Sequence, residues 1–140
     1  MNNNKKVSVS IIDYGMGNLF SISNACKYIG IESCITNSIT DIKQSDAIIL
    51  PGVGAFGDAI KSMIKLDLVS PIRDFVASGK HIFGICLGMQ LLMAESFEFG
   101  KHNGLGIIEG SVVKLNTFKN SENSQQKIPM LGWYKPQRKC

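Results

Sequence analysis

Histidine and tryptophan are scarce in this chain of 140 residues, which holds two of the first and one of the second. With so few imidazoles, and with no two of the four cysteines in a C-x-x-C pair, no zinc-ligand spacing can be drawn and no metal is expected. Charged residues make up only 19% while hydrophobic residues reach 44%, which excludes an intrinsically disordered chain. Long apolar runs are missing too. Asp, Lys, Ser or Gly interrupts each one before the ~20 residues a membrane span needs. The N-terminal MNNNKKVSVSIIDYG carries two lysines but only a short apolar run ending at Asp13, so it does not read as a signal peptide. Without such a signal, a disulfide framework is not expected of Cys26, Cys34, Cys86 and Cys140. The expected compartment is the reducing cytoplasm, where each cysteine is either a small core residue or a reactive thiol.

The formal net charge of +4 is unevenly placed. Residues 1–113 hold 9 basic and 10 acidic side chains, whereas residues 114–140 hold 6 basic and 1 acidic. A nucleic-acid binder carries its basic face on the folded body. A basic excess confined to the tail reads as a solvated polar segment, and neither nucleic acid nor membrane is expected as a partner.

The length suits a single domain, residues 1–140, that buries about two-thirds of its unfolded surface. Strands and helices alternate along it. Residues 7–12 (VSVSII), 31–36 (IESCIT), 46–51 (DAIILP) and 81–85 (HIFGI) read as strands. Leu19, Ile22, Cys26 and Ile29 fall at helical spacing, and Gly30 supplies the stop. A short polar helix is predicted near Asp41–Ser45, another at Ala59–Lys65, and a third from Leu68 with Pro71 in its first turn and Gly79 at its end. LGMQLLMAESFEF, residues 87–99, reads as helical by its Leu/Met spacing. HNGLGIIEGSVVKL reads as one or two short strands with turns at Gly104–Gly106 and Gly110. Residues 116–127 are polar, a loop or hairpin tip, and residues 128–134 (IPMLGWY) suit a last strand. The pattern predicts an α/β fold, a flavodoxin-like or Rossmann-like mostly parallel sheet flanked by helices. In such sheets ligands bind at the carboxyl ends of the strands, where three Gly-rich loops are expected: 14–18, 51–57 and 84–88.

The most informative stretch is Gly84-Ile85-Cys86-Leu87-Gly88, a G-x-C-x-G run between a strand and a helix. It is the cysteine counterpart of the G-x-S-x-G nucleophile elbow, whose sharp turn demands small neighbours. The turn sets the sulfur at a helix N-terminus, where backbone N–H groups lower a thiol pKa and can bind an oxyanion. The N–H of Leu87 is the natural first donor. The plain alternative is a buried core cysteine beside two packing glycines. Pro51-Gly52-Val53-Gly54-Ala55-Phe56-Gly57 follows the third strand, which should lie beside the fourth in a flavodoxin-like order. Its backbone could turn toward Cys86 or cradle a phosphate, but it lacks the GK[ST] ending of a P-loop. A thiol nucleophile needs a base within reach. His81 falls at the wrong end of its strand for that task. His102 reads as a solvated loop residue, and Asp13 either serves the site or caps a turn.

DYGMGN, LPGVGAFGDA, GICLGMQLL, GLGIIEG and IPMLGW, in this order from about residue 7 to residue 134, resemble the class I (triad) glutamine amidotransferases. Within that family they are most similar to the amidotransferase subunits of imidazole glycerol phosphate synthase. The resemblance implies a glutaminase that releases ammonia from glutamine and needs no cofactor. Cys86 would be the nucleophile, with Gly52, Val53 and Leu87 forming the oxyanion hole. Gly54, Gln90 and Glu98 would bind glutamine, the last two from the helix after the elbow. The ammonia would pass to a cyclase partner with a (β/α)₈ barrel, in a heterodimer serving histidine biosynthesis, with Asn18 and Trp133 facing that partner. Met130 stands where the family has His, and Tyr134 where it has Asn. These departures keep open a relative that feeds ammonia to sugar amidination in surface-polysaccharide synthesis. The family's catalytic His and Glu lie in an H-x-E motif downstream of the matched region. The chain is therefore expected to be a C-terminally truncated form, feebly active in isolation, or else a non-catalytic module. A cysteine peptidase sharing the elbow is disfavoured by PGVGAFGDA and GMQLL.

Overall fold

The structure is a computed structural model and describes residues 7–115. The expectations for residues 116–134, including those for Trp133, Met130 and Tyr134, lie outside the described residues.

Four strands form a parallel sheet: β1 (Ser8–Ile12), β2 (Glu32–Thr36), β3 (Ala47–Leu50) and β4 (His81–Gly84). Their order is β2-β1-β3-β4, the flavodoxin-like order expected, with β3 beside β4. Strand β1 lies between two others and is buried from Val9 to Ile12. Its one polar residue there, Ser10, survives burial because its hydroxyl meets that of Ser45 at 2.6 Å.

Helix α1 (Leu19–Tyr28) turns Cys26 into the protein and leaves Phe20 and Tyr28 exposed. The short α2 (Ile39–Gln44) buries Ile42. Helices α3 (Phe56–Lys65) and α4 (Val69–Ala77) carry most of the helical core. Phe56, Ala59 and Met63 recur at helical spacing on α3, and Leu68, Ile72 and Phe75 on and before α4. Helix α3 begins three residues before its predicted start.

The chain after the elbow departs from expectation. Instead of one helix over 87–99 there is a short α5 (Leu87–Leu91), followed by β5 (Met93–Ser96). Leu/Met spacing suits a helix, but the backbone oxygens that would continue it are taken by distant donors. Leu105 N–H bonds to Leu91 O at 2.8 Å, Ile107 N–H to Leu92 O at 2.9 Å and Gly104 N–H to Ala94 O at 2.8 Å. Gly104 permits this approach, since a Cβ there would strike the Met93 carbonyl oxygen. Strand β5 joins β6 (His102–Asn103) and β7 (Ile108–Val112) in a second sheet of order β6-β5-β7. Gly110 is not a turn. It lies within β7 at φ 131°, where the pairing with β5 shifts register as a bulge.

Candidate active site

The carboxyl ends of β3 and β4 deliver two loops to one place. Ile85 N–H bonds to Leu50 O at 2.9 Å, tying the start of the elbow to the end of β3. Cys86 then adopts φ 54° and ψ −116°, a conformation L-residues rarely hold. Such backbone costs on the order of 1–3 kcal/mol and persists only where its surroundings fix it. The surroundings here are tight. A Cβ on Gly88 would collide with the Leu50 carbonyl oxygen, and one on Gly84 would lie 2.6 Å from Met89 Cα. The two glycines of G-x-C-x-G are therefore required by close backbone contact on both sides of the cysteine.

Cys86 is exposed whereas Leu87 and Gly88 are buried, so the turn lifts the thiol out of the packed layer. Leu87 opens α5, where a backbone N–H has no intrahelical acceptor. Met89 N–H bonds back to the Cys86 carbonyl at 3.0 Å. Gln90 lies on α5, as expected, and is half-buried.

The PGVG loop packs against this elbow. Gly52 sits so close to it that an added Cβ would come 2.9 Å from both Gly88 N and Leu87 Cβ. Val53 is 55% exposed, and Gly54 holds φ 99° beneath Met16. Gly17 of the first loop lies against Pro51, so all three Gly-rich loops converge.

Glu98 is not on the helix after the elbow. It follows β5 in a turn, and its Oε2 accepts the Phe56 N–H at 2.8 Å. The carboxylate thereby caps α3, whose own cap residue, Ala55, has no side-chain acceptor. It also lines a cavity of about 370 Å³ with Ala55, Gly57, Asp58, Lys61 and His102. His102 is not a solvated loop residue: it lies half-buried in β6, its ring packed over Gly57. His81 is exposed at the far end of β4. Among the described residues Cys86 makes no hydrogen bond to a His, Asp or Glu. Asn18 caps α1, its side chain accepting the Ser21 N–H at 3.1 Å. Asp13 accepts the Gly15 N–H at 3.0 Å, so it shapes the first loop.

One residue of the site was missed by the sequence reading. Tyr14 is fully buried and its hydroxyl donates to the Pro51 carbonyl at 2.6 Å. Burial first, and then the neighbouring Cys86 charge, push its phenol up to about 12. Its position inside DYGMGN was the only available signal.

The arrangement can present a thiol at a strained turn, with backbone N–H groups nearby for a developing oxyanion. The family described as Glutamine amidotransferase class-I matches residues 10–139. The imidazole glycerol phosphate synthase subunit HisH of Sulfurimonas denitrificans is 48% identical over 125 residues, covering 89% of this chain. The subunit of that name from Caldanaerobacter subterraneus subsp. tengcongensis is 49% identical over 125 residues, again 89% of this chain. The chain spans 59% and 58% of the lengths of those two relatives. A crystal structure of a glutamine amidotransferase superposes with TM-score 0.64 at 24% identity, over 74% of this chain and 54% of its own.

Proposed function

The chain belongs to the class-I glutamine amidotransferase family, and from that premise we propose that its protein hydrolyses glutamine to glutamate and ammonia. The Cys86 thiolate attacks the side-chain amide carbon. The resulting oxyanion is held by backbone N–H groups of Leu87 and of the Gly52–Val53 region. Collapse of that intermediate expels ammonia and leaves a γ-glutamyl thioester, which water cleaves to glutamate and free thiol. Gly54, Gln90 and Glu98 hold the substrate, Glu98 receiving its ammonium group. The leaving ammonia needs a proton, and general acid–base help is worth about 10²–10⁴-fold. The resemblance assigns that task to an H-x-E motif, which residues 1–140 do not contain.

The observation that supports this reading most is the backbone of Cys86, left-handed between two glycines that admit no side chain. The relatives are named as subunits of imidazole glycerol phosphate synthase, which supports a further step: the ammonia goes to a cyclase partner that makes imidazole glycerol phosphate. Met130 and Tyr134 favour a second reading, in which a sugar intermediate is amidinated instead.

Ammonia release from glutamine tests the activity. The protein should release it, Cys86→Ser should not, and Cys34→Ser should match the unaltered protein. Residues 1–140, which hold no H-x-E motif, should turn over at least about a hundredfold more slowly than a relative that carries one. Equal release by Cys86→Ser would overturn the proposal.

A further inference from the structure

We propose that Tyr14 is a positioning residue for the oxyanion loop: its buried hydroxyl holds the Pro51 carbonyl and so fixes the peptide that leads into Gly52 and Val53. The inference rests on the glutaminase reading given above and adds a residue to it.

The geometry runs as a continuous chain of contacts. Ser62, on α3, donates its hydroxyl to the Tyr14 carbonyl and anchors the tyrosine backbone. The ring is wholly buried in the core cluster to which Phe56 and Leu87 also belong. Its hydroxyl reaches the Pro51 carbonyl across 37 residues of sequence. The same hydroxyl crowds the space where a Gly52 Cβ would stand, together with Gly88 N and Leu87 Cβ of the elbow. Gly52 thus packs close to both the phenol and the elbow.

A carbonyl so held cannot rotate without losing a buried hydrogen bond. The Pro51–Gly52 peptide is therefore the fixed end of the loop. Beyond it the constraint ends, since Val53 is exposed and Gly54 has the left-handed freedom of glycine. The peptide between Gly52 and Val53 can turn about an anchored hinge, with its N–H at a repeatable distance from the Cys86 sulfur. Donors held in this way stabilise a charge that exists only in the transition state. At neutral pH the phenol donates and does not ionise, since burial and the Cys86 charge raise its pKa.

The test is Tyr14→Phe, which keeps the ring and removes one oxygen. Four quantities are measured: kcat and KM for glutamine hydrolysis, the melting transition, and the pH profile of Cys86 alkylation by iodoacetamide. The expected result is a kcat about tenfold lower, a fraction of the 10²–10³ lost with a whole oxyanion donor. KM should stay within about threefold, and the alkylation midpoint should be unchanged because the neutral phenol carries no charge to lose. A kcat within twofold of the unaltered protein would overturn the proposal. So would a shifted alkylation profile or a lost cooperative melt, either of which would make Tyr14 a support of the elbow or core only. If the unaltered protein releases no ammonia while the alkylation still identifies a reactive Cys86, the glutaminase reading fails first and the Tyr14 assignment falls with it.

Discussion

Replacing Gly88 by alanine sets two physical effects of opposite sign against each other. Gly88 is the second residue of α5, and in a helix alanine is favoured over glycine by up to about 1 kcal/mol. Propensity alone therefore predicts a more stable protein. The packing predicts the reverse, because the new methyl would collide with the Leu50 carbonyl oxygen and lie 3.1 Å from the Pro51 carbonyl carbon. Both are backbone atoms at the end of a central strand, and neither can swing aside as a long side chain would. Overpacking of this kind costs about 1–3 kcal/mol. The rigid obstacle places this case at the upper end, so the net destabilisation should be about 2 kcal/mol after the propensity gain. Gly79→Ala is the matching control. There φ is +86° and nothing lies within 4 Å, so only backbone strain of about 1–2 kcal/mol is added. Urea unfolding of both variants, with Cys86 alkylation alongside, separates the cases. Gly88→Ala should be destabilised and its thiol reactivity altered, whereas Gly79→Ala should change stability alone. A Gly88→Ala protein as stable as the unaltered one, or more so, would refute the close-contact account of the elbow.

Three other outcomes follow from named contacts. Arg73 donates from Nε to Leu105 O at 2.6 Å and from Nη2 to Gly104 O at 3.1 Å, clamping that loop to α4. Arg73→Ala should cost about 1.5–3 kcal/mol in urea unfolding, and Arg73→Lys, without the fork, should recover less than half. Tyr14 ionises more readily unfolded, near 10, than folded, where its pKa is about 12. Its contribution is fully present below pH 10 and is lost as pH rises through 12. Stability should fall by about 2.5 kcal/mol more than in Tyr14→Phe over that interval, by pH-dependent melting. Glu98→Gln weakens the capping charge on α3, so stability should drop by only about 0.3–1 kcal/mol. On the role proposed for Glu98, glutamine binding, read from KM, should weaken by at least tenfold.

The elbow was legible in the sequence because its constraints are local: two glycines two residues either side of a cysteine, between a β-branched run and an apolar helix. The order of the four parallel strands was legible for a similar reason, since short βα connections leave few arrangements. The stretch after Leu91 was not. Leu and Met at helical spacing fit a helix as well as a strand, and the choice is made by N–H groups of residues 104–108, which local periodicity does not sense. Glu98 was singled out through resemblance, but its place in a turn capping α3 depends on β5 ending at Ser96. Tyr14 is not legible locally because its two partners, the Pro51 carbonyl and the Ser62 hydroxyl, lie 37 and 48 residues away. His102 was misjudged for the same cause, its ring being sheltered by a helix far earlier in the chain.

The central claim is that Cys86 is a thiol nucleophile held at a site for glutamine. A glutamine analogue carrying a diazoketone in place of the amide, followed by peptide mass mapping, tests this most directly. The account predicts covalent labelling of Cys86, with Cys26 and Cys34 unmodified, and protection by added glutamine. Labelling spread evenly over Cys34 and Cys86, or labelling of Cys86 that glutamine does not slow, would contradict it.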